Sequence, residues 1–388
     1  MIPTTGRQQH SPRTTLTGAH RAPFMLVCMV RALGIRDGLN PSHARVPAGA
    51  APITADDFLE HLISSQRHRH PSDTTAARAE RFTAGLVRDG RGRALNPSDL
   101  LQPHDEMWFY RMPAYETPVP GHCTPVFSSP GILVVDKPPF LATMPRGRHI
   151  TETATVRLRR ATGNDNLVPA HRLDRPTSGL LLFTTHPRYR GPYQTLFARR
   201  QVRKTYQAIA PYHLVLAEST DRAEIEHVAI HSGTINLEDD GIHVHQRMEK
   251  THGFIQARLE PGEPNAETVI SSIRMLTDDD ERALRERYHN WFGDPLRDTR
   301  YALYTMHPLS GKTHQLRMCL NSLGVPIMGD QVYPRILPEA IDAHQHVDEA
   351  WHQPLCLRST QLSWTDPCLH RPIIVTAPDL THTLGLSG

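Results

Sequence analysis

The stretch "HRLDRPTSGLLLF", His171 to Phe183, sets two arginines around one aspartate and then runs into an unbroken apolar segment. Leu180 to Phe183 follow Thr-Ser-Gly, and four apolar residues behind turn formers predict a strand in the core of a sheet. A carboxylate held between guanidiniums at the mouth of such a strand is costly to keep there unless it reacts.

The flanking sequence supports a sheet. "GILVVDKPPF" predicts a strand at Ile132 to Val135, stopped where Pro138 and Pro139 can no longer donate to a ladder. "RKTYQAIAPY" alternates, so Lys204, Tyr206 and Ala208 share one face and Thr205 takes the other. "RYALYTMHPLSGKTHQLRMCLNSLG" reads as a strand, a tight Ser310-Gly311 turn, and a helix with Thr313 as N-cap and Gly324 as its stop. Leu316, Cys319, Leu320 and Leu323 would form its buried stripe. Arg317 falls in the first turn, where the helix dipole disfavours a cation, so it is expected to serve a partner, naturally a carboxylate.

The formal charge is only +3, but it is unevenly placed. Between His171 and Tyr206 lie Arg172, Arg175, Arg188, Arg190, Arg199, Arg200, Arg203 and Lys204 against the single acid Asp174. Such a window draws a polyanion such as RNA.

The length of 388 residues predicts about two domains, and 33 prolines predict many loops. The five cysteines form no close pair and leave an odd count, which argues for structural thiols in a reducing, cytoplasmic setting. Phe24 to Val30 is too short an apolar run to span a bilayer. Residues 1–45 are expected to be a disordered leader, rich in arginine and poor in acids. Residues 46–120 are expected to form a small accessory module, with Thr54 capping a helix in "ITADDFLEHLI" and "MWFYRMP" a strand. The Pro-rich "YETPVPGHCTP" reads as a linker to a main domain over 126–388. Much of 211–298 reads as an insertion, with the acidic "NLEDDG", the strand-like "AETVISSIRML" and the helical "DDERALRERYHNWF".

Twenty-five histidines, with "RHRH" at 67–70, "IHVH" at 242–245 and "HQHVDEAWH" at 344–352, invite a metal. None shows i, i+4 spacing with a marked third ligand, so no metal site is expected.

"HRLDRPTSGLLLF" closely resembles the catalytic motif of the RluA-type pseudouridine synthases. In the family's order, "ILVVDKPP" resembles the motif before the active site, "VRKTYQA" the Lys-x-Tyr-x-Ala strand, and "SGKTHQLRMCLNSLGVPIMGDQVY" the closing motif. The resemblance spans about 126–378. Departures are Lys312 where arginine is usual, Pro176 in place of a common acid, and a longer stretch between Tyr206 and Arg317. "FTAGLVRDGRGRALNPSDLLQPHDEMWFYR" is similar in rhythm to half of a degenerate S4-like RNA-binding module.

The resemblance implies an α+β fold with a mixed, largely antiparallel sheet and flanking helices. It implies isomerisation of uridines in ribosomal or transfer RNA, with base flipping and without cofactor or metal. Asp174 would be the reacting carboxylate, attacking C1′ or C6 or removing a sugar proton, with Arg317 its counter-ion and Tyr206 a stacking platform. Arg172 would fill the space left by the flipped base. His171, Arg175, Lys204, Lys312, His314 and Gln315 join Arg172 as expected substrate contacts. RNA is the expected partner, and the protein is expected to act as a monomer away from membranes. The alternative is a non-catalytic RNA-binding or ribosome-assembly factor on the same fold. A zinc deaminase would need an H-x-E followed by P-C-x-x-C, a combined signature that is absent, and a glycosidase two carboxylates where the basic window has one.

Overall fold

The structure, a computed structural model, describes residues 32–289, 299–337 and 351–387. Residues 1–31 of the expected leader, "NWF" at 290–292 and most of the "HQHVDEAWH" stretch lie outside them.

Nine strands follow one another across a sheet in the order Thr234–Glu238, Gly241–Gln246, Ala266–Met275, Tyr301–Pro308, Arg203–Pro211, Leu357–Thr365, Ser178–Thr184, Ile132–Lys137 and Thr124–Ser129. Pro372–Thr376 and Val168–Pro169 add to its sides, making eleven strands among the described residues. Every pairing is antiparallel except that of Leu357–Thr365 with Ser178–Thr184. The fold is thus α+β with a mixed, largely antiparallel sheet.

Ser178–Thr184 is buried along its whole length, as its apolar run predicts. Leu181 and Phe183 enter a core shared with Leu316 and Leu320, whereas Leu180 and Leu182 face Tyr193 and Trp364 on the other side. Each of these side chains contributes about 1.5–3 kcal/mol by leaving water, and truncating Leu181 to alanine would cost about 2–5 kcal/mol. Gly179 marks the parallel pairing. Its φ is +102°, and a Cβ there would sit 2.2 Å from the Ser359 carbonyl oxygen, so no side chain fits.

Three expectations need correction. The span read as an insertion contributes three full members of the sheet, Thr234–Glu238, Gly241–Gln246 and the ten-residue Ala266–Met275. Their alternation was diluted by polar residues on the exposed face. Ser42–Arg45, inside the expected leader, is a strand paired with Glu106–Phe109. The Pro-rich linker is fastened down: Glu116 accepts the N–H groups of Ile150 at 2.9 Å and Thr151 at 2.7 Å, and Arg157 donates to the Gly121 carbonyl at 2.8 Å.

Ser42–Arg45, Glu106–Phe109 and Val87–Asp89 form a small sheet covered by helices Ala55–Ser64 and Thr75–Thr83, around a core that includes Phe58, Leu59, Phe82 and Met107. Thr54 caps the first helix by accepting the Asp57 N–H at 3.2 Å. Arg159 and Arg160 of helix Ala154–Thr162 tie this unit to the large sheet, through the Gly38 carbonyl at 3.0 Å and the Asp37 carboxylate at 2.6 Å. Among the described residues, no helix is long and apolar enough to cross a membrane.

Candidate active site

Asp174 sits on the turn that feeds Ser178–Thr184, and its neighbours hold that turn from below. Leu173 is buried, and the Thr143 hydroxyl both donates to the Leu173 carbonyl at 2.8 Å and accepts its N–H at 3.2 Å. Thr177 N–H closes the turn on the Asp174 carbonyl at 3.1 Å. Beneath lies Lys137, fully buried, whose ammonium donates to the carbonyls of Pro138 and Leu141 at 2.8 Å and of Arg175 at 3.3 Å. Burial lowers its pKa to about 7. The strand pattern of "GILVVDKPPF" gives no sign of this buried position of Lys137.

The Asp174 carboxylate remains partly open, its side chain 26% exposed, while the Arg317 side chain beside it is 3% exposed. Arg317 Nη1 lies 3.6 Å from Asp174 Oδ2, too long for a hydrogen bond but well inside Coulombic reach. The other nitrogens of Arg317 are engaged elsewhere. Nε donates to Asp330 Oδ2 at 2.7 Å and Nη2 to Asp330 Oδ1 at 2.6 Å, a bidentate pair. Asp330 also accepts the N–H groups of Val332 at 2.9 Å and Tyr333 at 3.1 Å. Burial opposes the charge on Arg317, yet Asp330 and then Asp174 raise its pKa. The strongest partner of Arg317 is therefore Asp330. A signal existed, since Asp330 lies within the closing motif, but a separation of 13 positions along the chain hid the pairing. Gly329 permits it, with φ at +77° and a virtual Cβ only 2.3 Å from the Pro354 carbonyl oxygen.

The helix carrying Arg317 runs Gln315–Ser322, and its N-cap is His314 in the left-handed region, not Thr313. The expected stripe of Leu316, Cys319, Leu320 and Leu323 is buried, and Met318 and Ser322 are buried as well. His314 Nε2 comes to 3.9 Å from Asp174 Oδ2, and Nδ1 to 3.1 Å from the Tyr333 hydroxyl. Burial, reinforced by Arg317, lowers its pKa to about 4, so the ring is neutral at pH 7.

Asp174, Tyr206 and Arg317 line one cavity of about 590 Å³, together with Arg172, Arg200, Lys204 and Lys312. Tyr206 is 8% exposed on Arg203–Pro211, and burial raises its pKa, with Asp174 adding to the effect. Lys204 donates to the Ser310 carbonyl at 3.2 Å, and burial, then Arg200, lowers its pKa to about 8. Arg172 is exposed and makes no ion pair with Asp174.

Other expected contacts are built into the frame. Gln315 uses its whole amide internally, accepting from Ser310 Oγ at 2.8 Å and Lys312 N–H at 3.0 Å and donating to the Glu267 carbonyl at 2.8 Å and Thr268 Oγ1 at 3.1 Å. His171 stacks on Phe197, centroids 4.6 Å apart, and Nε2 accepts the Leu182 N–H at 3.2 Å. Burial lowers its pKa to about 3. Arg175 points into a neighbouring cavity of about 400 Å³ and donates to the Phe140 carbonyl at 3.3 Å. The basic window is therefore divided. Arg188 covers Tyr189 and Arg190 reaches the Asn166 carbonyl, away from Asp174, whereas Arg146 and Lys250, outside the window, line the cavity that Arg175 enters.

The family model described as RNA pseudouridylate synthase matches residues 131–322. The chain is 26% identical over 235 residues to tRNA pseudouridine synthase C of Vibrio cholerae, covering 59% of this chain and 79% of that protein. It is 28% identical over 216 residues to tRNA pseudouridine(31) synthase of Saccharomyces cerevisiae, covering 54% of this chain and 45% of that protein. Among solved structures, human RNA Pseudouridylate Synthase Domain Containing 4 is 21% identical with a TM-score of 0.43, covering 68% of this chain and 94% of that one. The protein is an RNA-modifying enzyme. It belongs to the RNA pseudouridylate synthase family.

Proposed function

We propose that the chain converts particular uridines of a folded RNA to pseudouridine, with Asp174 as the reacting carboxylate. The reading is carried by one observation: Asp174 opens into a cationic cavity beside a buried guanidinium whose charge is already balanced by Asp330. In the reaction the N1–C1′ bond breaks, a C5–C1′ bond forms, the C5 proton leaves and N1 regains one. Nothing is added, so no cofactor is called for. Arg317 Nη1 stands 3.6 Å from Asp174, and Asp174 keeps its lone pairs because Arg317 hydrogen-bonds to Asp330 instead. Tyr206 offers a ring face for the uracil, and its raised pKa makes it a platform and hydrogen-bond donor, not a phenolate base. Exposed Arg172 is placed to fill the gap left by the flipped base, and Arg200, Lys204 and Lys312 to meet phosphates.

The small amino-terminal unit extends this surface. Its Arg36, Arg81 and Arg111 line a depression of about 940 Å³ whose wall, Met144, also lines the Asp174 cavity. That continuity supports reading the unit as an RNA platform. The relatives' names direct the first test to tRNA, then ribosomal RNA. Purified protein would be incubated with each, and new pseudouridines mapped by carbodiimide modification and primer extension. Formation at defined sites is expected. Its absence from every tRNA and ribosomal RNA tried, by a folded protein that binds them, would overturn the reading.

A further inference from the structure

The hairpin of Thr234–Glu238 and Gly241–Gln246 lies at the outer edge of the large sheet, two strands removed from the one carrying Tyr206. Its "IHVH" places His243 and His245 two residues apart on a strand, hence on one face. Glu238, across the turn, completes a cluster. One ring nitrogen from each histidine and a carboxylate oxygen of Glu238 all lie within 4.8 Å of one another. Around His243 Nε2, Asp240 Oδ1 is at 2.8 Å and Glu238 Oε2 at 3.6 Å.

Two further observations point to an ion. His243 Nδ1 lies 2.9 Å from Glu267 Oε1, the carboxylate–imidazole support that fixes the tautomer of a metal-binding histidine and turns its other nitrogen toward the metal. His245 Nε2 is buried with no hydrogen-bond partner. A hydrogen-bonded cluster explains His243 but leaves that nitrogen unexplained, whereas a cation between the rings explains both.

We propose that Glu238, His243 and His245 hold a divalent first-row transition ion of the zinc type, with Asp240 or water as the remaining donor and Glu267 orienting His243. Two imidazoles and carboxylate oxygen suit such an ion better than magnesium or calcium, which prefer oxygen alone. The site would cross-link the exposed edge hairpin. Such a site would run against the expectation of no metal, which rested on i, i+4 spacing and had no means of bringing in a ligand from the neighbouring strand.

The test uses the full-length chain stripped with a chelator. Zn²⁺ is titrated in competition with a chromophoric chelator, alongside Glu238→Gln, His245→Gln and Glu267→Gln variants. One Zn²⁺ per chain is expected, held at about 1 μM or tighter. Glu267→Gln should weaken it by about 10–100-fold, and His245→Gln more. The Glu238 side chain is 52% exposed, so Glu238→Gln keeps the fold even if the histidine variants do not. Wild-type protein that takes up no tight Zn²⁺, or a normally melting Glu238→Gln protein that binds it with unchanged affinity, would overturn the proposal. Uridine isomerisation is not the readout, and it should be unchanged in Glu238→Gln.

Discussion

At the cleft, buried Arg317 gives Nε and Nη2 to Asp330 and leaves Nη1 standing 3.6 Å from Asp174. At the edge hairpin, His243 meets carboxylates on both ring nitrogens, at 2.8 and 2.9 Å. Both places join acids to a basic side chain, but they differ in which group keeps unused bonding capacity. In the cleft it is the carboxylate, which is open to the cavity and has oxygens to offer an incoming ring. At the hairpin Asp240 and Glu267 are hydrogen-bonded to His243, and the buried atom without a hydrogen-bond partner is His245 Nε2. A reacting group differs from a structural one less by its charge than by whether its neighbours are already satisfied.

The largest test of this contrast is Asp174→Asn. Pseudouridine formation should fall by about 10⁴-fold or more, as for loss of a reacting side chain. The melting temperature should stay near that of the wild type, because Arg317 keeps its bidentate partner, and RNA affinity should hold or improve with one negative charge gone. A large loss of stability would show Asp174 to be the structural partner instead.

Asp330→Asn should show the reverse emphasis. Removing one member of a buried pair costs about 3–5 kcal/mol, read by urea unfolding. Activity should fall as well, since Arg317 is then free to bond Asp174.

Acid separates the buried histidines from the open carboxylate. The unfolded chain takes up protons at His171 and His314 near pH 6.5, but the folded chain does so only near about 3 and about 4. Between those limits the unfolded state binds more protons, so stability drops as pH falls, by up to about 1.4 kcal/mol per pH unit for each ring. Unfolding free energies measured from pH 7 to 4 should show this slope, and His171→Asn should flatten it.

The smallest effect is expected at Arg172→Ala. Stability should not change, because the Arg172 side chain is exposed and forms no ion pair among the described residues. RNA binding should weaken, and the dependence of log affinity on log salt should become shallower by about 0.7–0.9. An unchanged salt slope together with unchanged turnover would remove Arg172 from the RNA-contacting surface.

Local pattern carried far in this chain. The buried run after Asp174, the Thr54 cap and the apolar stripe from Leu316 to Leu323 follow from patterns within a few residues, so they can be read along the sequence. Asp174, Tyr206 and Arg317 came from the resemblance to a family, and folding brings them to one cavity. What local pattern could not supply were pairings closed over distance. The preference of Arg317 for Asp330, the support of Asp174 by Thr143 and Lys137, and the meeting of Glu238 with His243 and His245 each join separate strands or loops. The same holds for Gln315, whose amide is expected at the substrate but is occupied by the backbone of Glu267. A sequence shows which donors and acceptors a chain possesses, whereas hydrogen-bond reach of about 3 Å decides which of them are still free, and that is settled only when distant segments pack.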